Sequence, residues 1–449
     1  MGYRILHRGS RALGLALLFA ALGRLPLGAQ SEAGNVPIPW LQAIGAVPTM
    51  MDAPLLVDLS GMSGFDSNIF DSNRNPIGSE FMEAGVHASY QQEAWMERER
   101  ANLVYDGNAL MYPGHSGNNQ ADHALAFTGE LEPTPRWVLR LRDNFYYQSG
   151  LFAIAPPTPA ASVTVEPLGE NPSVVTPFAR QWTDNGRMDA SYATGPRASV
   201  DLFGSYGVHR FSNVSDSAQL YNSRDAEAGA SYVYRLSRNW WAGPTVSEEH
   251  LGFGSLARAR LFTASGSVTW QATPALVLTA FGGGQHIALH QEFEETLLGA
   301  DFSASVDEHN WHPQLGGSVQ RTWDWVRATF SGQKSITDGG GLLTTVTNDY
   351  QQLELRVPGA SDAYLDWNVS LLLSNGTSTS LASGEGASSL SDQRLGIQYQ
   401  RWLADQWNIT IAESLVRQRA QGLPQFNNAT RNLFSVGVTY RLVGPSGRM

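Results

Sequence analysis

Histidine and carboxylate side chains are the residues of this sequence whose spacing could support metal chemistry. His286 and His290 are followed by Glu292, Glu294 and Glu295, and imidazole and carboxylate groups are common ligands of divalent metals. However, the segment has the pattern of a strand end, and an i, i+4 spacing brings two ligands to one face only in a helix. We therefore interpret this stretch as an acidic loop, and we predict neither a metal site nor a cofactor.

Nucleophilic catalysis is the second kind of chemistry to consider. A hydrolase would need a serine, a histidine and a carboxylate that converge on one site. The other candidate histidines lie mostly near predicted loops and have no local catalytic motif: His115, His123, His209, His250, His309 and His312. The stretch Asp338-Gly339-Gly340-Gly341 is glycine-rich but lacks the Gly-Lys-Ser/Thr of a phosphate-binding loop. The sequence thus predicts a protein that is not an enzyme.

Composition narrows the remaining classes. The 449 residues are 42% hydrophobic and 16% charged, with 45 glycines and no cysteine. Without cysteine, disulfide scaffolds, zinc–thiolate sites and thiol catalysis are excluded. A formal net charge of −11 argues against a generally basic nucleic-acid-binding protein, so we predict no nucleic-acid partner.

The first 29 residues have the pattern of a secretory signal peptide. Basic residues precede an apolar stretch from Ala12 to Leu22, and Leu27-Gly28-Ala29 then offers a small-residue cleavage site. The apolar stretch is roughly half the ~20 residues that a membrane-spanning helix needs. Since no later segment is long and apolar enough for such a helix, a membrane-spanning structure would have to be a barrel.

From residue 54 onward the sequence alternates between apolar and polar residues. Near the C-terminus, apolar residues occupy every second position: Phe434, Val436, Val438, Tyr440 and Leu442. This period of two is typical of a strand with one apolar face. Eighteen such segments can be placed along the chain. Their connections are alternately short, as at Thr194-Gly195-Pro196, and long, as from Ser149 to Pro177, which favours a membrane barrel over a soluble sandwich.

The sequence therefore predicts an all-β fold: a transmembrane antiparallel up-and-down β-barrel of about 18 strands with short periplasmic turns and long extracellular loops. The predicted parts are a signal peptide (1–29), an irregular periplasmic N-terminal segment (30–53), the barrel (54–442) and a C-terminal tail (443–449). The expected location is the outer membrane. The segment from Ser149 to Pro177 is the candidate plug of the lumen.

Aromatic residues cluster beside the short turns, which predicts a periplasmic aromatic girdle at the headgroup level of the membrane. Packing of hairpins in a soluble sheet is the alternative explanation. The predicted girdle consists of Trp95, Trp137, Trp240, Trp241, Trp270, Trp323, Trp325, Trp402, Trp407, Tyr192, Tyr234, Tyr399 and Tyr440.

Charged residues alternate with the apolar ones, and arginine on the lipid side would cost about 2 to 4 kcal/mol at mid-membrane. The predicted lumen-facing residues are Arg98, Arg100, Arg136, Arg140, Arg142, Arg187, Asp189, Arg197, Asp201, Glu227, Arg235, Arg327, Glu354, Arg356 and Asp366. They fit either a water-filled pore or an interior in which the opposite charges form salt bridges with one another. In the first case the arginines of residues 98–142 would form a positive stripe that attracts anions or acidic sugars.

Two short motifs carry a resemblance to a known family. Gly64-Phe65-Asp66-Ser67-Asn68-Ile69-Phe70 and the hairpin Leu131-Glu132-Pro133-Thr134-Pro135-Arg136-Trp137 resemble the opening strand and the repeated hairpin of outer-membrane β-barrel porins encoded beside exopolysaccharide gene clusters. The resemblance implies an outer-membrane barrel with a porin-like or polysaccharide-associated role and supplies no catalytic residues. The sequence departs from most such barrels because Val443 to Met449 follow the last strand without a terminal aromatic residue.

Three function classes follow from these patterns. The first is a passive porin-like channel or a polysaccharide-associated export conduit. The second is a structural or adhesive barrel that transports nothing and binds a partner through its long loops. The third is a soluble, secreted carbohydrate-binding β protein. For the first class the expected partners are the lipid bilayer with its lipopolysaccharide, the barrel-assembly machinery, and polysaccharide or small anionic solutes.

Overall fold

The structure is a computed structural model, and it describes residues 55–69, 76–93, 99–148, 180–212, 222–254, 257–297, 300–323, 325–339, 343–358, 367–381, 388–404, 406–421 and 429–443. Within these ranges the chain forms eighteen β-strands and one 3-10 turn at Ser116–Asn118. The described residues contain no helix that is long and apolar enough to cross a bilayer. The predicted signal peptide, the segment 30–53 and the candidate plug lie outside the described residues.

The strands are β1 (Leu55–Asp66), β2 (Ser79–Glu93), β3 (Glu99–Met111), β4 (Gln120–Thr134), β5 (Trp137–Gln148), β6 (Arg180–Gly195), β7 (Ala198–Ser212), β8 (Ser223–Ser237), β9 (Trp240–Phe253), β10 (Ala257–Thr273), β11 (Leu276–Leu297), β12 (Ala300–Thr322), β13 (Arg327–Gly339), β14 (Leu343–Pro358), β15 (Trp367–Ser380), β16 (Ser389–Ala404), β17 (Trp407–Gln421) and β18 (Ala429–Val443).

Each strand pairs antiparallel with its neighbours in sequence, and β1 pairs with both β2 and β18. This last pairing closes the sheet into a barrel, so the predicted 18-stranded antiparallel barrel is confirmed. We call the end at which β1 begins and β18 ends the lower end, and the opposite end the upper end.

The alternating sequence gives the barrel two different faces. On β17, Trp407, Ile411 and Leu415 are exposed, whereas Asn408 and Thr410 are buried. Directly paired residues share a face of the sheet, so the strand register extends this assignment around the barrel. We call the face with the exposed apolar residues the outer face and the other the inner face.

The largest departure from the predicted strand boundaries is at the hairpin of β11 and β12. The sequence predicts a long loop from Leu289 to Asn310, but the two strands continue through it and pair as far as Leu297 and Ala300. Polar residues on both faces remove the apolar alternation there, whereas backbone pairing does not depend on apolar side chains. The connection from β9 to β10 is also short, and Gly254 adopts a φ of +64° in it, a conformation that favours glycine.

The pairing of β12 with β13 is the shortest between neighbouring strands of the described barrel. It covers eight residue pairs, from Leu315 with Lys334 down to Thr322 with Arg327. Above Leu315, β12 pairs with β11 alone, and above Lys334, β13 pairs with β14 alone. The two strands therefore separate in the upper half of the barrel.

Above this separation, β13 turns into the barrel interior. Ile336 has the parity of the outer face, yet it is 3% exposed and packs in an apolar cluster with inner-face residues such as Leu261 and Ile287. The Ile336 backbone N–H donates to Oε1 of Gln285, an inner-face residue of β11, at 2.9 Å. On β14, Thr345 and its neighbour on the opposite face are both buried. The upper part of β13 thus packs against the inner face of β9–β11.

Candidate functional site: the barrel interior

The inner wall of β3–β6 carries a row of arginine and carboxylate side chains. Arg100, Glu130, Arg140 and Asp189 are paired in succession across the four strands. Arg140 Nε donates to Glu130 Oε2 at 2.7 Å, and Arg100 Nη1 lies 3.8 Å from Glu130 Oε1. The charge-assisted hydrogen bond fixes the orientation of the Arg140 guanidinium on the wall, whereas Arg100 makes only a longer ion pair with Glu130.

Asp189 joins this row to the next one above it. Its carboxylate is buried and accepts from Arg187 Nε at 2.9 Å and from Arg142 Nη2 at 3.2 Å. A buried carboxylate that lost both partners would be left uncompensated in the wall. Asp189 therefore holds two arginine side chains against β5 and β6.

The same upper row becomes acidic further around the barrel. Arg142 and Arg187 are followed on the neighbouring strands by Ser205, Glu227 and Glu249. Ser205 Oγ donates to Glu227 Oε2 at 3.4 Å. The inner wall thus has a basic sector on β5–β6 and an acidic sector on β8–β9 at the same row.

Two of the predicted lumen-facing residues lie outside the strands. Arg136 is exposed in the turn before β5 and Arg197 in the turn before β7, so neither lies on a strand wall. Alternation alone does not show where a strand begins, and each of the two residues lies one position before its strand. The remaining described arginines of the stripe are paired with Glu130 and Asp189. Arg98 and Asp366 lie outside the described residues.

The other predicted lumen residues lie on the inner face: Asp201, Arg235, Arg327, Glu354 and Arg356. Asp201 is buried and accepts from Ser231 Oγ at 3.5 Å. Arg356 Nε donates to Glu354 Oε1. On β14, as in the basic sector, an arginine of the inner wall is therefore held by a carboxylate.

Most of the predicted girdle forms an outward ring near the lower end. Outer-face positions belong to Trp137, Trp240, Trp270, Trp407, Tyr192, Tyr234, Tyr399 and Tyr440. Ring pairs link neighbouring strands, with centroids 4.8 Å apart for Trp137–Tyr192 and for Trp407–Tyr440 and 5.3 Å apart for the stacked rings of Trp240 and Trp270.

Two predicted girdle residues face the interior instead. Trp241 and Trp402 have inner-face parity, and guanidinium groups lie over their rings: Arg235 at 5.5 Å and Arg441 at 4.4 Å from the centroids. Proximity to a turn therefore does not decide the face, because the face depends on parity. Trp323 and Trp325 lie in the connection between β12 and β13, and Trp95 lies outside the described residues.

A buried polar cluster that the sequence analysis missed closes the upper end between β1 and β18. Both carboxylate oxygens of Asp66 accept from Arg431 Nε at 3.0 Å, and Asp66 Oδ2 also accepts from the Tyr112 hydroxyl at 3.0 Å. Asp66, Tyr112 and Arg431 are at most 3% exposed. Tyr112 follows β3, and burial raises the pKa of its hydroxyl above the ordinary value.

The motif Gly64-Phe65-Asp66-Ser67-Asn68 supplies the carboxylate of this cluster and further contacts to β18. A Cβ at Gly64 would lie 2.1 Å from the Phe434 carbonyl oxygen, so only glycine fits there. Asn68 Nδ2 donates to the Thr430 carbonyl at 3.1 Å, and Ser67 Oγ accepts from the Asn432 N–H at 2.8 Å. The motif could have been recognised from the sequence as a contact surface, but its partner strand could not.

The histidine and carboxylate stretch considered first lies on the upper part of β11. His286 and His290 are both on the outer face, and His290 Nδ1 lies 2.7 Å from Asp307 Oδ1. The described residues contain no group of three or more potential metal ligands. The side chains of Glu292, Glu294 and Glu295 lie outside the described part of the structure.

Comparison with known proteins gives similarity of structure only. No protein-family profile matches the chain, and no curated protein matches it. The fold is similar to that of Pseudomonas aeruginosa OpdQ (12% identity, 87% of this chain and 98% of the other, TM-score 0.41). It is also similar to P. aeruginosa OpdO (11% identity, 88% and 99%, TM-score 0.42) and OccK2 (11% identity, 87% and 98%, TM-score 0.42). The barrel is therefore established by the strand pairing of this chain and not by these similarities.

Proposed function

We propose that the protein is an outer-membrane barrel that passes small polar solutes. The observation that carries this proposal is the contrast between its faces: a ring of aromatic side chains and apolar residues outside, and arginine–carboxylate pairs inside. An apolar outer face suits lipid, and a closed barrel satisfies its backbone within the bilayer. The lower end is then periplasmic and the upper end extracellular.

The charged wall suggests how such a channel would select solutes. The inner wall of β3–β6 contains Arg100, Arg140, Arg142 and Arg187 with two carboxylates between them, and the acidic sector contains Glu227 and Glu249. Charged rings of one sign favour ions of the opposite sign, whereas adjoining sectors of both signs favour solutes that carry both charges. We therefore propose weak selectivity between small anions and cations, with local anion attraction at β3–β6.

Planar-bilayer recording tests this proposal. The wild-type protein should give single-channel currents. In the Arg140→Ser/Arg142→Ser variant the reversal potential should shift in the direction that indicates lower anion permeability. Glu227→Gln should shift it in the opposite direction, because it removes an acidic neighbour. An absence of conductance, with the segment from Ser149 to Pro177 present and also after its deletion, would contradict the channel and leave a structural or adhesive barrel.

A more specific form of this proposal is a polysaccharide-associated export conduit. Its support is the resemblance of the motifs at residues 64–70 and 131–137 to barrels encoded beside exopolysaccharide genes. A linear acidic glycan added to one side of the bilayer should then interrupt the current, whereas a neutral glycan of equal length should do so less. Equal effects of the two glycans would contradict a role of the charged wall in polysaccharide passage.

Membrane fractionation tests the proposed location. The protein should appear with the outer membrane and should migrate differently on unboiled and boiled gels, since a closed barrel resists detergent until it is heated. Recovery as a soluble monomer without detergent would contradict the barrel in a membrane and would favour a secreted carbohydrate-binding protein.

A further inference from the structure

A cluster of cationic side chains lies on the outer face of β8–β10. Arg224 of β8, His250 of β9, and Arg258 and Arg260 of β10 all have outer-face parity and are exposed. We call these four residues the outer basic patch. It is separate from the basic sector of the inner wall, which lies on the opposite side of the sheet.

The strand register brings the guanidinium groups of the patch together. Arg224 is paired with Gly252, which is paired with Arg258, so the backbones of the two arginines lie two strands apart, at about 10 Å. Arg224 Nε lies 3.2 Å from the position that a Cβ of Gly252 would occupy. Because Gly252 has no side chain, Arg224 extends across β9 toward β10. His250 and Arg260 form the adjacent cross-strand pair.

The patch is only partly neutralised by carboxylates. Glu248 Oε1 lies 2.6 Å from Arg260 Nε and 3.0 Å from His250 Nε2. Neither Arg224 nor Arg258 forms an ion pair with a residue that the structure describes. Two guanidinium groups thus remain available on an exposed surface, each with a planar set of donors that matches phosphate oxygens.

The height of the patch above the lower aromatic ring shows where it lies relative to the membrane. From the lower end, the outer face of β10 presents Trp270, Val268, Gly266, Ala264 and Phe262, and then Arg260 and Arg258. Arg260 lies ten positions above Trp270 along β10, which at about 3.4 Å per residue and a strand tilt of about 40° gives a height of about 26 Å. The apolar band of an outer-membrane barrel is about 25 Å tall. The arginines therefore lie where the outer-leaflet headgroups begin.

We propose that the outer basic patch binds the phosphorylated headgroup of an outer-leaflet glycolipid. Arg224 and Arg258 contact phosphate oxygens, while Phe262 and the residues below it contact the acyl chains. This inference rests on the proposed outer-membrane location and not on conduction. Phosphate oxygens match the planar donor sets of two neighbouring guanidinium groups.

The test uses the full barrel in neutral detergent with three probes: bisphosphorylated lipid A, the same lipid without its phosphates, and inorganic phosphate. Wild type should bind the phosphorylated lipid most tightly, measured as a lipid-dependent rise in unfolding temperature and as retained lipid in native mass spectrometry. Arg224→Gln/Arg258→Gln should weaken this binding by about tenfold, because two charge-assisted contacts are lost.

The matched control is Arg197→Gln/Arg238→Gln, which removes the same charge from exposed turns at the lower end, and its binding should equal that of wild type. Equal binding of the dephosphorylated lipid, or an unchanged affinity in the patch variant, would overturn the proposal. Equal binding of inorganic phosphate would show a free-anion site and would overturn it too. Heat-modifiable mobility of every variant verifies folding, and conductance of the patch variant separates this result from the channel proposal.

Discussion

The pairing of β1 with β18 and the pairing of β12 with β13 both join neighbouring strands of one sheet, yet they differ at the upper end of the barrel. β1 and β18 pair over ten residue pairs, and the Asp66–Arg431–Tyr112 cluster covers the top of that ladder. β12 and β13 pair over eight, and above them β13 turns inward. The β1–β18 seam is thus held by buried polar contacts. The β12–β13 seam is open in the upper half, and the upper part of β13 is held there by apolar packing and by the Ile336–Gln285 hydrogen bond.

The β1–β18 seam has a second ion pair near the lower end. Arg441 Nε donates to Asp58 Oδ1 at 3.1 Å, and its guanidinium lies over the Trp402 ring. In both pairs the carboxylate comes from β1 and the arginine from β18. Strands that are far apart in sequence gain no help from a short connection, since loop closure costs entropy. Directed side-chain contacts at both ends of the ladder specify the register there.

The largest expected effect comes from removing one partner at the β1–β18 seam. Asp66→Ala leaves the Arg431 guanidinium buried without its carboxylate, and loss of one member of a buried pair costs about 3 to 5 kcal/mol. The free energy of unfolding in lipid vesicles, measured by urea titration, should fall by that amount. Asp349→Ala, which removes an exposed carboxylate from β14, is the control and should change it little.

A double variant distinguishes the charge pair from general packing at this seam. Asp66→Leu/Arg431→Met removes both charges, and apolar replacement of a buried pair is often neutral or stabilising. It should therefore be more stable than Asp66→Ala. A double variant as unstable as the single one would mean that the polar contacts to Tyr112 and Asn68, and not the charge pair, hold the seam.

The outer face provides the next comparison, because its apolar band differs between the strands next to the β1–β18 seam and those next to the β12–β13 seam. Ile411 of β17 is exposed on the outer face next to the β1–β18 seam, whereas Gln351 of β14 is exposed on the outer face beyond the β12–β13 junction. Ile411→Arg should destabilise the barrel in vesicles by about 2 to 4 kcal/mol, since arginine then faces lipid. Gln351→Arg should cost much less. Equal costs would show that both positions contact lipid equally.

The contact that holds the inward-turned part of β13 should have a smaller effect on stability and a visible effect on current. Gln285→Ala removes the acceptor of the Ile336 N–H, and a buried donor without a partner costs about 1 to 3 kcal/mol. If the hairpin narrows the lumen, single-channel conductance should rise in this variant. Gln393→Ala, on the outer face of β16, is the control. An unchanged conductance would place the narrowest part of the lumen elsewhere.

These regions also show what the sequence can predict. Strict alternation, as in Phe434 to Leu442, identified the strands and most inner-wall charges, because a period of two follows from strand geometry. It could not reveal that Asp66 meets Arg431 across 365 positions, since pairing of distant strands leaves no local pattern. Nor could it show that Ile336, with the parity of the outer face, is buried inside the barrel, because a strand that leaves its neighbour keeps its alternation.

The separation of β12 and β13 can be tested without relying on stability. The sequence contains no cysteine, so paired cysteines would be its only thiols. Leu315 and Lys334 form the last pair of the ladder, and directly opposed residues of antiparallel strands have Cα atoms about 4.5 to 5.5 Å apart, within reach of a disulfide. Leu315→Cys/Lys334→Cys should therefore cross-link under mild oxidation and change the mobility of the boiled protein. Pro313→Cys/Ile336→Cys, two residues higher on each strand, should not cross-link, because the strands have parted and Ile336 faces Gln285. Efficient cross-linking at the higher pair would show that the ladder continues upward, and the inward turn of β13 would then be wrong.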